Sequence, residues 1–289
     1  MPSLDPKSLS TSKLHSYLLS AVAPRPIAFA STISVNGEVN LAPFSFFNVF
    51  SANPPIVVFS PVLREKNNAE KNTLKNIKAT KEVVINVVNF DMVHQTSLSS
   101  ADFPEGVNEF EKSGLTMLKS VVVKPFRVAE SPIQLECKVT NIIALGTEGG
   151  AGNLVICEVL KLHIDDEVLN TDGSINQEKL DLVARVGGNY YSRAKKGFFE
   201  IPKPAANLGI GVANFPDDIK NSMVLTGNDL GLLGTIEKLP SKNEVKTFIK
   251  NISERYPNIQ TASHREKHKL ARNYLSFGDV ENAWKLLLS

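Results

Sequence analysis

The 289-residue sequence has few of the features that assign a chain to a specialised class of protein. It contains two cysteines and one tryptophan, and its 32 Lys and Arg nearly balance its 30 Asp and Glu. Two cysteines cannot form the disulfide framework of a small secreted domain, so Cys137 and Cys157 are expected to be buried, reduced thiols. No run approaches the about 20 apolar residues that span a bilayer. A net charge of +2 gives no support to nucleic-acid binding. We therefore expect a cytoplasmic globular protein without nucleic-acid or membrane partners.

Motifs of several enzyme classes are also missing. There is no Gly-x-Ser-x-Gly elbow and no phosphate loop of the Gly-x-x-x-x-Gly-Lys type. The Gly-Ile-Gly at 209–211 lacks the third glycine of a dinucleotide-binding turn. His264 and His268 have a metal-binding spacing on a predicted helix, but the sequence shows no third ligand and basic residues surround the pair. We interpret the pair as a solvated helix face and predict no metal site.

The first two-thirds of the chain has the pattern of a β-rich domain. An apolar run at 27–33 leads into Asn-Gly at 36–37, a strong hairpin signal because both central residues of a type I′ turn need positive φ. Further strands are predicted at 39–41, 56–59, 83–88, 121–128, 133–143 and 154–164. Because these strands are short and show little βα alternation, we predict a mainly β, antiparallel barrel.

The last third of the sequence has a helical pattern. Pro202 and Pro204 mark the change, and Ser241 with Glu244 forms a capping box, a typical helix start. Asp279 is expected to cap a final helix. We therefore predict a β-rich domain at 1–204 and an α-helical C-terminal extension at 205–289.

Polar residues cluster beside consecutive phenylalanines. Ser45 and Asn48 flank Phe46 and Phe47, and a Ser-Thr pair ends the predicted strand at 31–32. Neighbouring strand residues point to opposite faces, so one ring is expected in the core and the other beside a pocket. The alternative is that both rings pack in the core.

A second polar cluster precedes a predicted helix at 73–79. Lys71, Asn72 and Thr73 stand at its start, where a threonine caps the helix and the free N–H groups and a lysine can bind a phosphate. The alternative, which the residues alone favour, is a plain cap beside a solvated lysine. Together the two clusters indicate a planar ligand that carries a phosphate.

Several segments, in order, resemble the flavin reductase-like family with the FMN-binding split barrel, which includes the flavoredoxins. The segments that carry the resemblance are PRPIAFAST at 24–32, NLAPFSFFN at 40–48, KNTLKNI at 71–77, NEFE at 108–111 and RVGGNYY at 185–191. The resemblance extends over about residues 10 to 200. It implies a six-stranded antiparallel split barrel of Greek-key type with short helices, which forms a homodimer and binds FMN, or alternatively FAD, near the subunit interface.

The resemblance also implies which residues bind the flavin. They are Ser31 and Thr32 at the ribityl chain or ring, Ser45, Phe46, Phe47 and Asn48 at the isoalloxazine, Lys71, Asn72 and Thr73 at the phosphate, and Arg185 and Tyr190 as further candidates. No side chain is expected to be catalytic, because the cofactor carries the redox chemistry.

The activity implied by the resemblance is that of a flavin reductase-like oxidoreductase, which passes hydride or electrons between NAD(P)H or another donor and flavin. Many reductases of this family carry Gly-Asp-His where this chain has Gly-Ala-Gly at 150–152. This difference argues against direct use of NAD(P)H and favours the flavoredoxin-like branch. The alternatives are a non-enzymatic electron carrier with a protein partner, and a flavin-binding module whose helical extension docks a partner.

Overall fold

The computed structural model describes residues 3–104, 106–201 and 208–289. The chain divides into two compact units, Met1–Phe199 and Glu200–Ser289, called here the sheet unit and the helical unit. Pro202, Pro204 and the predicted boundary between residues 204 and 205 lie outside the described residues. Within the described ranges, no helix is both long and apolar enough to cross a bilayer.

The sheet unit is built on one large antiparallel sheet. The strands of the unit are β1 (Ala28–Ile33), β2 (Val39–Phe44), β3 (Phe47–Ala52), β4 (Pro55–Phe59), β5 (Glu82–Val87), β6 (Met117–Leu118), β7 (Arg127–Val128), β8 (Ile133–Ala144), β9 (Asn153–Ile164), β10 (Val183–Arg185) and β11 (Tyr191–Arg193). Seven of them form the main sheet in the order β2-β1-β5-β8-β9-β4-β3, and β6-β7 and β10-β11 form two-stranded ribbons. The antiparallel pairing is as predicted, but the sheet has seven strands where the resemblance implied six.

A bend in the chain separates β2 from β3, so that the two are distinct strands of the main sheet. These two strands are the opposite edges of the sheet, yet only Ser45 and Phe46 separate them in the chain. Three residue steps span at most roughly 11 Å, so the sheet must curl until its two edges approach each other. The bend therefore produces the split-barrel form and places the Ser45–Asn48 segment where the edges meet.

The β1–β2 hairpin confirms the turn predicted at Asn-Gly, although not its type. The two strands pair from Ala28 with Phe44 to Ile33 with Val39. The loop between them has five residues, and Gly37 is the loop residue with positive φ, at +89°. A type I′ turn would also need positive φ at Asn36, so the connection is a longer loop.

The helices of the sheet unit are short and pack beside the sheet. They are α1 (Thr11–Ala21), α2 (Asn72–Thr80), α3 (Val93–Leu98), α4 (Glu109–Ser113) and α5 (Gln177–Leu180), with 3-10 turns at Pro6–Ser8, Asp166–Val168 and Ala194–Gly197. Helix α2 buries Leu74 and Ile77, three residues apart on one face, in a core cluster with Phe59 and Ile85. Burial of each such side chain contributes about 1.5–3 kcal/mol, so this face fixes α2 against the sheet.

The two cysteines belong to the same core and are not paired. Cys137 of β8 and Cys157 of β9 are buried, free thiols, as predicted. Burial, with a smaller contribution from Glu136, raises the pKa of the Cys137 thiol to about 12. Since the thiolate is the reactive form, these cysteines serve packing rather than chemistry.

The helical unit confirms the predicted change of secondary structure. Its helices are α6 (Asp217–Lys220), α7 (Gly227–Leu233), α8 (Lys242–Ile252), α9 (His264–Ser276) and α10 (Val280–Leu287), with a 3-10 turn at Val212–Asn214. Ser241 and Glu244 form the predicted capping box at α8, and Asp279 caps α10.

The core of the helical unit centres on the single tryptophan. Trp284 is fully buried, contacts Phe215 edge-on at 4.8 Å between ring centroids, and donates its Nε1–H to the Leu233 carbonyl at 2.9 Å. Its apolar cluster draws on all five helices, so this unit has a hydrophobic core of its own.

Candidate functional site

Helix α2 begins without a side-chain cap. Its N-cap residue is Lys71, and no side chain accepts a hydrogen bond from the first turn. The Lys71 carbonyl accepts from the Leu74 and Lys75 amides at 2.9 and 3.2 Å, which leaves the amides of Asn72 and Thr73 at the positive end of the helix dipole. The expectation that Thr73 caps the helix is therefore wrong, because Thr73 lies one residue inside the helix beyond Asn72.

The Lys71 side chain is half-buried and lies beside this helix start. Its Nζ is 5.7 Å from the centroid of the Phe44 ring, and within the described chain it forms no hydrogen bond or ion pair. Burial lowers the pKa of Lys71, and the nearby positive charge of Arg64 lowers it further, whereas Asp102 raises it. A partly desolvated ammonium that forms no direct ion pair favours an anionic ligand. This environment contradicts the alternative of a solvated lysine.

Buried polar side chains form a hydrogen-bond network next to the start of α2. The Asn40 Nδ2 donates to Thr73 Oγ1 at 2.9 Å and to Thr32 Oγ1 at 3.3 Å. Asn76 Nδ2 also donates to Thr32 Oγ1, at 3.1 Å. Because the Thr73 oxygen accepts a hydrogen bond, its own hydrogen remains to be donated. Thr32 is fully buried and holds the two amides in place.

A small polar cavity of about 50 Å³ lies at this point. Arg64 Nε donates to Asp102 Oδ1 at 3.2 Å on one wall, and this hydrogen bond lowers the pKa of Asp102. On another wall, buried Glu109 accepts from the Leu41 amide at 3.0 Å, and burial raises the pKa of its carboxyl group. The residues that line the cavity are Asn40, Ala42, Pro43, Arg64, Lys71, Asn72, Thr73, Ser99, Ser100, Ala101, Asp102, Phe103 and Glu109.

Sequence reasoning missed Arg64. The residue lies in the loop between β4 and α2, where no periodicity or motif marks it. The loop is held by the segment at 146–152: the Gly150 amide donates to the Leu63 carbonyl at 3.0 Å. A Cβ at Gly149 would lie 2.6 Å from Glu65 Cα, so only glycine allows this close approach. The Gly-rich segment therefore serves the placement of Arg64.

The bend between β2 and β3 separates the two phenylalanines as strand alternation predicts. Phe47 packs against the core cluster, whereas Phe46 is 36% exposed and contacts His15 of α1 edge-on at 6.1 Å between centroids. Ser45 Oγ accepts from Arg25 Nε at 3.5 Å. Asn48 is exposed, and its Oδ1 accepts from the Val49 amide. Ser45, Phe46 and Asn48 thus offer polar and aromatic groups at the surface of the bend, and Phe47 does not.

Ser31 and Thr32 are adjacent in β1, so their side chains point to opposite faces of the sheet. The face of Thr32 carries α2 and its polar network. Ser31 is fully buried on the other face, and its Oγ has no hydrogen-bond partner within the described residues. Thr32 is therefore connected to the α2 cavity through its hydrogen bond with Asn40, whereas Ser31 has no such connection.

Arg185 and Tyr190 lie apart from that cavity. The Arg185 backbone pairs with Arg25, and its guanidinium donates to the Gly188 carbonyl at 2.8 Å and lies 4.6 Å from the centroid of the Tyr191 ring. Tyr190 is 77% exposed. Arg25 holds the same region together, since it donates to the Val22 and Val186 carbonyls at 2.7 and 3.2 Å. Within one chain these residues organise a surface turn.

A larger cavity, about 770 Å³, lies in the helical unit. Its walls include Tyr256, Leu270 and Arg272, and none of the predicted binding residues contributes to it. Size alone therefore does not identify the site that the sequence predicts.

Comparisons with known proteins agree on the sheet unit. The family model for the flavin reductase like domain matches residues 20–186. An uncharacterized protein of Halalkalibacterium halodurans is 41% identical over 197 residues, which are 68% of this chain and 93% of the relative.

Solved structures resemble the same part of the chain. Nitrilotriacetate monooxygenase component B from Bacillus cereus is 30% identical with a TM-score of 0.65, and the alignment covers 70% of this chain and 98% of that one. A putative flavin reductase with a split barrel domain from Shewanella frigidimarina is 25% identical with a TM-score of 0.60, covering 70% of this chain and all of that one (100%).

Proposed function

Since this chain belongs to the flavin reductase-like family, we propose that it is an FMN-binding oxidoreductase that passes electrons between a reduced donor and flavin. The observation that carries the proposal is the open start of α2 beside Lys71, a partly buried ammonium that forms no direct ion pair within the described chain. Amides at a helix start together with a cation form a phosphate site. We infer the binding of the ribityl chain and the ring system of FMN from the membership of the flavin reductase-like family.

The shape of the cavity favours FMN over FAD. Its volume of about 50 Å³ and its mainly charged and polar lining suit a terminal phosphate. In FAD this phosphate is bonded to a second phosphate and an adenosine, for which a cavity of this volume has no room. We therefore assign Lys71 and the amides of Asn72 and Thr73 to the phosphate of FMN, with Arg64 as an additional cation.

The remaining side chains position the cofactor. Asn40 and Thr32 hold Thr73 in place for the phosphate, and exposed Phe46 with Ser45 borders the ring system at the bend between β2 and β3. When bound, flavin supplies hydride and electron transfer, and the protein supplies orientation and electrostatics. We propose no catalytic acid or base among the side chains of this chain.

We also propose that the sheet unit forms a homodimer. Strand β3 is an edge of the sheet, and it exposes Val49 and Phe50 to 66% and 67%. Natural proteins protect exposed apolar edges, and a second copy would cover this one. Light scattering at micromolar concentration is expected to give twice the mass of 31.6 kDa. A monomeric mass would contradict the dimer and leave the phosphate site untouched.

The phosphate assignment is tested by comparing FMN with riboflavin, which lacks the phosphate. Charge-assisted hydrogen bonds contribute about 1.5–3 kcal/mol, so Lys71→Gln is expected to weaken FMN binding by roughly ten- to 150-fold and riboflavin binding little. Lys81→Gln is the matched control, because Lys81 is exposed at the other end of α2. Fluorescence quenching of the flavin measures both affinities.

A second pair of variants tests the hydroxyl of Thr73. Thr73→Ala is expected to weaken FMN binding much more than riboflavin binding, and Thr73→Ser, which keeps the hydroxyl, to restore it. If Thr73→Ala and Lys71→Gln each weakened the binding of FMN and riboflavin equally, neither residue could be assigned to the phosphate site. If FMN produced neither quenching nor a thermal shift in the unsubstituted protein, the cofactor assignment would fail.

A second candidate function is that of an electron carrier that keeps its flavin and exchanges electrons with a protein. The Gly-Ala-Gly at 150–152 favours it, because this segment packs against residues 60–65 and offers no imidazole for a nicotinamide. Anaerobic mixing with NADH or NADPH distinguishes the two functions. Rapid bleaching of the flavin absorbance supports the reductase, whereas bleaching by dithionite alone supports the carrier.

A further inference from the structure

The helical unit brings together three side chains that can bind a metal ion. His264 and His268 lie one turn apart on α9, and Asp218 is contributed by α6. One potential ligand atom from each lies within 4.8 Å of the other two. The shortest contact joins His264 Nδ1 to Asp218 Oδ2 at 2.9 Å. The third ligand that the sequence did not reveal is therefore supplied by the packing of α6 against α9.

His268 supplies an independent observation. The sequence pattern indicates a solvated helix face for His268. In the structure this residue is only 5% exposed, so that interpretation is wrong for His268. Its Nδ1 is hydrogen-bonded to Ser222 Oγ at 2.7 Å, but its Nε2 is buried without any hydrogen-bond partner in the described residues. Buried polar atoms are nearly always paired, so an unpaired ring nitrogen beside two other ligand groups calls for a ligand.

We propose that Asp218, His264 and His268 bind a divalent transition-metal ion of the Zn²⁺ class. Two imidazoles and one carboxylate are ligands that zinc accepts, whereas Mg²⁺ and Ca²⁺ prefer oxygen alone. The Asp218 and His264 side chains are 41% and 77% exposed, which gives the ion a path from solvent. The adjoining cavity of about 540 Å³ leaves the fourth position to water.

The Ser222 hydroxyl acts as an outer support for the site. Ser222 Oγ accepts from the Val224 and Leu225 amides at 3.1 and 3.0 Å, which fixes its position. The direction of the Ser222–His268 hydrogen bond depends on the tautomer of the ring, and the tautomer with Nδ1–H leaves Nε2 with the lone pair that a metal ion would bind. A second hydrogen bond of this kind orients most metal-binding histidines.

The basic residues of α9 do not oppose the site as their sequence positions suggest. Lys267 Nζ donates to the Ser289 carbonyl at 2.8 Å, and Lys269 lines the separate cavity of about 770 Å³. Of these cations, only Arg265 lines the cavity beside the cluster. Burial lowers the pKa of His268, with an opposing effect of Asp218 and a further lowering by His264.

A bound metal ion would connect α6 to α9, because Asp218 lies on α6 and the two histidines lie on α9. Helix α6 has only four residues and no side-chain cap, so few local interactions hold it. The nearby Phe215 contacts Trp284, the single tryptophan of the chain, and tryptophan fluorescence thus reports the unfolding of this unit. A ligand that binds only the folded state raises its unfolding temperature.

The experiment uses the full chain with its flavin, after treatment with a chelator. Zinc is titrated by calorimetry, and thermal unfolding is followed by Trp284 fluorescence with ZnCl₂ or MgCl₂. We expect one zinc per chain and a higher unfolding temperature with zinc, and no change with magnesium. Asp218→Asn and His264→Ala are expected to lower the zinc affinity at least about tenfold.

Asp217→Asn is the matched control, because Asp217 is exposed and adjacent to Asp218 on the same helix. Retention of zinc binding by this variant, together with its loss in the other two, would support the site. Equal zinc binding by all variants, or no saturable binding to the unsubstituted protein, would overturn it. Both Asp218 and His264 are exposed, so their substitution leaves the core intact, and unchanged far-UV circular dichroism checks this.

Discussion

Helix α2 of the sheet unit starts differently from the four longer helices of the helical unit. In the helical unit, α7, α8, α9 and α10 all begin at a Thr, Ser or Asp whose side chain accepts a backbone N–H of the first turn. In the sheet unit, α2 begins at Lys71, which cannot do so. The backbone is nearly the same in both cases: φ and ψ are −70° and 152° at Lys71, and −64° and 156° at Ser263.

This difference indicates two uses of a helix start. Where stability is the requirement, a hydroxyl or carboxylate satisfies the first amides. At α2 the same geometry carries a lysine, which leaves those amides without a side-chain acceptor and adds a positive charge beside them. We propose that the open start of α2, in its buried and polar setting, is a binding feature, whereas the capped starts serve stability.

The largest expected effect concerns the core of the helical unit. Leu233→Ala removes a fully buried side chain and is expected to lower the free energy of unfolding of this unit by about 2–5 kcal/mol. Urea denaturation followed by Trp284 fluorescence measures the change. The control is Leu208→Ala, since Leu208 is 96% exposed. FMN affinity is expected to remain unchanged; a parallel loss would show that the two units do not act separately.

Exchanging the two kinds of helix start gives the next largest effect. Lys71→Ser places a capping residue on a backbone that already has the required geometry. In the absence of flavin we expect the sheet unit to gain about 1 kcal/mol, and the FMN affinity to fall about tenfold or more. Urea denaturation of the flavin-free protein and flavin titration measure the two changes. An unchanged FMN affinity would show that the open start of α2 does not contribute to FMN binding.

The opposite change at α9 should be smaller and purely structural. Ser263→Ala removes one side of a capping box and is expected to cost about 1 kcal/mol of stability in the helical unit, without an effect on FMN. Ser276→Ala is the control, since Ser276 is exposed at the other end of the same helix and bonds only the Asn273 carbonyl. Equal losses in both variants would contradict a specific role of the cap.

The smallest effect is a difference in acid sensitivity between the units. The folded state lowers the pKa of His268 chiefly through burial, so below about pH 6.5 the unfolded helical unit binds more protons and stability falls with falling pH. In the sheet unit, hydrogen bonds from Arg193 and Lys195 hold the pKa of Asp181 at about 2. That stabilisation is present above about pH 4 and is lost as the pH falls towards 2.

Urea denaturation at about pH 7.5 and about pH 5.5, in the presence of a chelator, tests this difference. Trp284 fluorescence follows the helical unit and flavin release follows the sheet unit. Only the tryptophan midpoint is expected to fall between these two conditions. A constant tryptophan midpoint would show that His268 titrates normally in the folded state.

The sequence predicted local features well where the cause itself is local. The capping box of Ser241 and Glu244 depends on two residues three positions apart, and it is present in the structure. The hairpin after β1 followed from Asn-Gly, and the separation of Phe46 from Phe47 followed from strand alternation. These features need no information about distant parts of the chain.

The sequence did not predict features that depend on distant segments. Arg64 reaches the α2 cavity because the segment at 146–152 holds its loop, and Thr73 contacts Asn40 across 33 positions of the chain. Asp218 meets His264 and His268 only when α6 packs against α9. The resemblance assigned both Ser31 and Thr32 to the flavin, whereas in the structure their side chains lie on opposite faces of the sheet.

By itself, the sequence determined the change from strand to helix, the caps of α8 and α10 and the family of the first 200 residues, since periodicity and motif order are properties of neighbouring residues. Tertiary structure alone decided which helix start remains open beside a partly buried lysine, and which histidine lost its contact with water. Burial and long-range contacts set the pKa of a side chain and the partners available to it, and no local pattern encodes them.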